Sequence, residues 1–206
     1  MAEATTNSTA NVSVGKGVQG GYFFSAPATP TNLAKIADLS NFETPVLTSL
    51  TDGAVLGYIS EDGWVFAEER DSESHVDVNG ETVVTATTSK TDTVAATLIE
   101  IKAATLKEWY GQSNVTDAKG LITAMHTADD AEVRIYVADL LLRNGRRWRS
   151  ILPQGQVTEI GELTVASSEL VGRETTITAN AWTDSAGKTY TIIDYIQSTE
   201  TEASAG

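Results

Sequence analysis

Gly15-Lys16-Gly17-Val18-Gln19-Gly20 has the G-x-G-x-x-G spacing that lets a backbone turn tightly against a pyrophosphate. Such a site needs a helix to open there, so that its N-terminus meets the phosphate. Here the chain continues Gly21-Tyr22-Phe23-Phe24-Ser25-Ala26-Pro27, which is strand-like and ends in proline, so the motif reads as a flexible arm entering an apolar strand. The two histidines, His75 and His126, are far apart and lack a nearby acidic pair, so no three-ligand zinc site can be built. Asp129, Asp130 and Glu132 lack the alternating acids and central glycine of a calcium loop and read as a solvated turn. There is no nucleophile elbow for a serine, and the absence of cysteine excludes thiolate metal sites, disulfides and thiol nucleophiles. No catalytic, cofactor or metal residue is assigned, and the chain is expected not to be an enzyme.

Trp64, Trp148 and Trp182 lie on strand-like runs and could stack on sugars, but packing is the commoner use of such indoles; Trp109 fits a helix face. Charge is more informative. The 206 residues carry 14 Lys and Arg against 28 Asp and Glu, a net charge of −14, which argues against a general nucleic-acid-binding surface. Glu61, Asp62, Glu68, Glu69, Asp71, Glu73, Asp77 and Glu81 face a single base, Arg70, and so supply half of that net charge. Against them stands a basic hairpin tip, Arg143-Asn144-Gly145-Arg146-Arg147-Trp148-Arg149. Two readings stay open: a solvated hairpin, or a surface that meets the acids of a neighbouring copy. On the second, Arg143, Arg146, Arg147 and Arg149, with Glu68, Glu69, Asp71 and Glu73, are the candidate subunit or ring interface.

The elements that carry these residues are mainly β. Mean hydropathy of −0.13 excludes an integral membrane protein. Met1–Ser13 has almost no bulky apolar side chains and reads as a mobile arm. Residues 199–206 read as a flexible tail, and 14–198 as one folded unit. The amino terminus has no secretory signal, so a cytoplasmic origin is expected. Strands are expected at Val55–Ile59, Trp64–Glu69, Glu81–Thr88, Thr93–Lys102, Glu132–Leu142, Arg146–Leu152, Gln156–Val165, Glu174–Thr183 and Lys188–Ile196. Asp62-Gly63, Asn79-Gly80, Asn144-Gly145 and Asp184–Gly187 read as turns, Asn144-Gly145 as a two-residue type I′ hairpin. Glu132–Leu142 alternates but ends apolar on both sides, which predicts cover on both faces. One helix is expected at Ala103–Tyr110, with Leu106, Trp109 and Tyr110 on one face and Gly111 as its stop. Ala26–Leu50, with Pro27, Pro30 and Pro45, is expected to be a long excursion with a task of its own.

The order of features, from the arm, the Gly-rich strand and the Pro-interrupted loop to Leu56–Trp64, then Thr82–Thr88, Thr93–Ile101, the helix Leu106–Val115 and the closing Asp184–Lys188 hairpin, resembles the major tail tube proteins of long, non-contractile-tailed bacteriophages, especially those infecting actinobacteria. The resemblance covers about Val14 to Ile196. It implies a β-sandwich or barrel with one flanking helix, a flexible arm and a long loop, the arm and loop reaching to adjacent subunits. It further implies hexameric rings stacked into a tube in the virion tail, built in the host cytoplasm. Double-stranded DNA would pass through the lumen without specific binding, and a tape-measure protein, a tail terminator and distal tail proteins would be partners. The nearest alternatives are the tube of a contractile tail or type VI secretion system, and a glycan-binding β-sandwich.

Overall fold

The computed structural model describes residue 9 and residues 12–198. Expectations for the rest of the arm and for the 199–206 tail lie outside the described residues. In chain order the first elements are β1 (Gly15–Gly17), β2 (Phe23–Pro27), helical turns α1 (Pro30–Leu33) and α2 (Val46–Ser49), β3 (Ala54–Val55), β4 (Ile59–Val76), β5 (Thr82–Leu98) and helix α3 (Ala103–Tyr110). Then follow β6 (Val115–Ala118), β7 (Leu121–Ala124), β8 (Arg134–Leu142), β9 (Arg147–Ile160), β10 (Arg173–Ala179), β11 (Trp182–Thr183), β12 (Thr189–Tyr190) and β13 (Ile193–Ile196). Nine of these strands form one antiparallel sheet in the order β3-β2-β8-β9-β10-β5-β4, with β1 continuing beside β8 and β13 beside β9. The architecture is mainly β and consistent with a sandwich, as expected.

β8 is covered on both faces, and this divides the interior in two. Tyr136 and Ala138 join Phe23, Val94, Leu98, Leu152 and Ile177 in one core. Ile135 and Val137 join Phe24, Ile36, Leu39, Val46, Leu50 and Ile151 in the other. The first core is closed by α3 and by the curl of the sheet, which brings Trp64 edge-on to Tyr22 and Phe23, with ring centroids 5.4 and 6.2 Å apart. The second is closed by the Pro-rich excursion. That excursion is a packed lid, not a free loop reaching for a neighbour: it winds into short helical turns that bury Ile36, Leu39, Val46 and Leu50. Thr29 caps α1 by accepting the Asn32 N–H at 3.3 Å, with Pro30 at the position where a missing N–H costs nothing. The buried Asn32 amide fastens both ends of the lid, donating to the carbonyls of Pro27 and Thr51 and accepting the Thr51 N–H at 2.8 Å.

Helix α3 has the expected bounds, and it carries a carboxylate into the interior. Glu108 accepts from the hydroxyls of Ser25 (2.7 Å) and Tyr136 (2.5 Å) and pairs with Arg134 at 3.2 Å. Burial pushes the Tyr136 phenol well above its ordinary value, keeping it a donor. Trp109 donates to the Thr175 hydroxyl at 2.9 Å, so two side chains of one helix turn pin it to opposite parts of the sheet.

Several strand boundaries differ from expectation. Glu81–Thr88 and Thr93–Lys102 are one strand, β5, because the polar Ser89–Thr91 stretch lies on a ribbon exposed on both faces, where polarity is no break, and the buried Asp92 is paired with Lys90. Arg146–Leu152 and Gln156–Val165 likewise merge into β9; Pro153 sits at its register irregularity with β8, the one place where a missing N–H is tolerated. Asp62-Gly63 is an outward bulge inside β4, not a turn. Val55–Ile59 breaks after Val55 because Gly57 (φ +92°) bends the chain around the Glu100 carboxylate, which accepts the Tyr58 N–H at 3.0 Å. The β6–β7 hairpin is absent from the strands expected of the sequence; Lys119-Gly120 was its turn signal.

Replacing Glu108 by Ala leaves Arg134 and Tyr136 buried without their acceptor. The expected cost is about 3–5 kcal/mol of stability, measured by chemical denaturation; a loss under about 1 kcal/mol would refute the pinning role.

Candidate functional site

The basic hairpin turns over three residues, Arg143–Gly145, instead of two. Leu142 N–H donates to the Arg146 carbonyl at 2.7 Å, and Gly145 takes the left-handed conformation (φ +79°) that ends such a loop. This register sets Asp139 directly across from Arg149. Asp139 accepts from both Arg149 (2.8 Å) and Arg147 (2.6 Å). Arg149 is 1% exposed, and its other nitrogen donates to the lid carbonyls of Leu39, Asn41 and Thr44. The Arg147 and Arg149 guanidiniums stand over the Phe42 ring, at 5.7 and 5.5 Å. Arg149 is therefore committed inside the subunit, which corrects its reading as part of an outward basic tip, and the half-buried Arg147 turns its guanidinium to the same carboxylate. Arg143 remains exposed, its backbone N–H donating to the Ser13 hydroxyl, and Arg146 lies at the surface, donating to the Gln197 carbonyl.

The acidic candidates sit on the outer half of β4. From Glu68 to Val76, and along the facing part of β5 from Thr82 to Thr91, every residue is exposed, so this part is a two-stranded ribbon with no layer against either face. Alternation separates its charges. On one face Glu68 pairs with Arg70 (2.5 Å) and Lys90 (3.1 Å), and Lys90 with Asp92 (2.7 Å). On the other, Glu69, Asp71 and Glu73 form a stripe without a cation among the described residues; Asp71 accepts from Ser89 at 2.7 Å. The chain reverses at Asn79-Gly80 as expected, around Asp77, whose carboxyl is held below its usual range chiefly by the Glu81 N–H. Among the described residues no ion pair joins the ribbon's acids to the arginines of the basic hairpin.

Two further surfaces were not legible in the sequence. On the outer face of β9, β10, β5 and β4, cross-strand rows read Gln156-Thr178-Thr93-Ala67 and Glu159-Thr176-Ala95-Val65, followed by Glu174-Thr97. These rows hold no Lys or Arg. At the base of the ribbon, Tyr22, Ile59, Trp64, Phe66, Leu140 and Trp148 line a cavity of about 460 Å³. Trp148 stacks on Phe66 there, at 5.7 Å, while Trp109 and Trp182 pack elsewhere.

The sites set aside in the sequence have ordinary structural roles. Gly15–Gly17 is strand, no helix follows, and Val18–Tyr22 loops out before β2. His126 stacks on Tyr110 at 3.9 Å and His75 stands on the ribbon. Among the described residues no three His, Asp or Glu side chains gather as a metal site, and no helix is long and apolar enough to cross a membrane.

Fold and surfaces together define a mainly β protein with an open 18-residue edge strand and an unsupported ribbon, features that call for other chains to pair with. The chain belongs to a family of phage tail components: the model described as phage tail tube protein matches residues 19–203. Proteins of this family are structural, not enzymatic, which places the chain in a virion tail as part of an oligomeric tube. No curated protein matches the chain.

Arg149→Ala should lower stability by about 3–5 kcal/mol, because Asp139 and the lid carbonyls lose their buried donor. Arg146→Ala should cost under about 1 kcal/mol. Equal losses in urea denaturation would show that the two arginines do not divide into interior and surface roles.

Proposed function

We propose that this chain is the tube subunit of a long, non-contractile phage tail. Copies join as hexameric rings, rings stack into a tube, and double-stranded DNA passes through the lumen into the host without being specifically bound. The family match over residues 19–203 carries this reading. The open edge of β4 and the unsupported ribbon are its physical support, since each is completed by a neighbouring chain.

We assign the hydroxyl-rich outer face of β9, β10, β5 and β4 to the lumen. Its Thr, Ala and Gln side chains give DNA phosphates no cation to hold, and Glu159 and Glu174 repel them, so nothing on this face displaces the counterions of a passing duplex. Before ejection the same lumen holds a tape-measure protein, with tail terminator and distal tail proteins at its ends. Assembly takes place in the host cytoplasm. Arg143 and Arg146, the two arginines left at the surface, meet the unpaired stripe Glu69, Asp71 and Glu73 of an adjacent copy.

Negative-stain electron microscopy of the concentrated protein over a range of salt tests the reading. Tubes or stacked rings with a central hole and sixfold end views are expected; a species that stays monomeric at every concentration and salt would overturn it. Arg143→Glu combined with Arg146→Glu is expected to cut tube yield several-fold with the monomer's melting temperature nearly unchanged, and unaltered yield would remove both from the interface.

A further inference from the structure

Asn79-Gly80, the turn that ends the ribbon, has a chemistry of its own. Asparagine is a thermolabile residue, because the backbone nitrogen that follows it can attack its side-chain amide carbon. A glycine nitrogen does so with no side chain to hinder the approach. Both residues are exposed at this turn, and the reacting groups of both are held by Asp77. The Gly80 N–H, whose nitrogen is the nucleophile, donates to the Asp77 carbonyl at 3.1 Å. The Asn79 side-chain nitrogen, which would be the leaving group, donates to the Asp77 Oδ2 at 3.1 Å. The backbone N–H groups of Asn79 and Glu81 donate to Oδ1 at 2.9 and 2.8 Å. Chiefly through the Glu81 N–H, they hold the Asp77 carboxyl below its usual range, so this clamp stays charged at neutral pH.

We propose that Asn79 is a site of spontaneous covalent modification and that Asp77 sets its rate. The Gly80 nitrogen forms a bond to the Asn79 amide carbon, the bond from that carbon to the side-chain nitrogen breaks, and this nitrogen leaves as ammonia with the proton from Gly80. Water then opens the cyclic imide at either carbonyl, leaving aspartate or isoaspartate. Water is the only co-reactant. Closure needs the Gly80 nitrogen deprotonated and the Asn79 amide turned toward it. In the closed turn the proton is engaged by a carbonyl, the amide is drawn back to Asp77, and the carboxylate opposes an anion forming nearby. The reaction therefore waits for the tip to open. Opening costs little here, because a two-stranded ribbon is marginal in water. Val76, Val78, Val83 and Val84 around the turn are already 59%, 99%, 61% and 53% exposed, so little apolar cover is lost when the end frays. Isoaspartate lengthens the main chain between Asp77 and Glu81, whose closing hydrogen bond of 2.8 Å then loses its register. Either product adds a negative charge to a chain already at −14.

Incubation of the intact protein at mildly alkaline pH, followed by peptide mapping with mass spectrometry, reads the replacement of the amide by a hydroxyl at Asn79. The map separates it from Asn144-Gly145, the other pair of this kind in the sequence. Asn79 is expected to convert several-fold more slowly in native buffer than in denaturing guanidinium chloride, yet measurably while the core stays folded. Asp77→Ala should raise the native rate several-fold, toward the denatured rate, with the melting transition of the core in place, because the hydrogen bonds of Asp77 lie within the turn. Glu81→Gln removes a neighbouring charge but keeps the clamp, and should leave the rate nearly unchanged. Equal wild-type rates in buffer and denaturant, an Asp77→Ala rate no faster than wild type, or equal acceleration by Glu81→Gln would each overturn the proposal. A native Asn79 that stays intact while the denatured chain converts fully would overturn it too. None of these readouts depends on tube formation, so this inference and the tube reading fail separately.

Discussion

The subunit is organised around a charge pair at its centre. β8 is buried on both faces, yet it carries Asp139, and a lone carboxylate there would cost several kcal/mol. Arg149 on the paired strand removes that cost. Its second nitrogen then turns the solution into architecture, donating to the Leu39, Asn41 and Thr44 carbonyls of the lid. Without this clamp the lid has no polar attachment at its middle, and the second core, which depends on Ile36, Leu39 and Val46 staying in place, opens to water. The Glu108 cluster plays the same part on the other face, where it holds α3 over the first core.

With both faces of the central strands closed internally, what remains for assembly is peripheral. An isolated two-stranded ribbon is marginal in water. This one stands because its shaft is laced by Glu68, Arg70, Lys90 and Asp92 on one face, and because Asp77 answers the N–H groups of Asn79 and Glu81 at the turn. Apart from the Lys90–Asp92 pair, those contacts are exposed and individually weak. A partner that lies against the ribbon would add the apolar cover that these contacts do not give.

Sheet content, helix bounds and the double cover of β8 were legible because alternation, helical spacing and a glycine stop are local signals. The clamp was hidden by a single residue. A two-residue turn at Asn144-Gly145 would set Asp139 opposite Ser150; the actual three-residue loop sets it opposite Arg149, and with that shift one candidate interface arginine became an interior one. The ribbon was missed for a different reason. Polarity on both faces of Ser89–Asp92 looks like a break if each strand is assumed to rest on a core, and only the tertiary arrangement removes that assumption. The lid lacked any periodic signal because it is made of single turns, each too short to show one.

A long open edge and an apolar tip would ordinarily template aggregation. Here the edge of β4 is interrupted by bulges after Ile59, Asp71 and His75, and the valines are flanked by Asp77 and Glu81. Every copy also carries a net charge of −14. Repulsion between such copies reaches over roughly 10 Å at 0.1 M salt, whereas apolar contact acts only on touching. Random encounters are turned away before the tip meets a surface, and a single weak edge contact does not compensate. In the proposed tube, a growing end that holds several receiving surfaces in fixed positions changes the balance, since an arriving copy loses its freedom only once for several contacts. In that reading, the charges that hold free copies apart confine their association to an end already built.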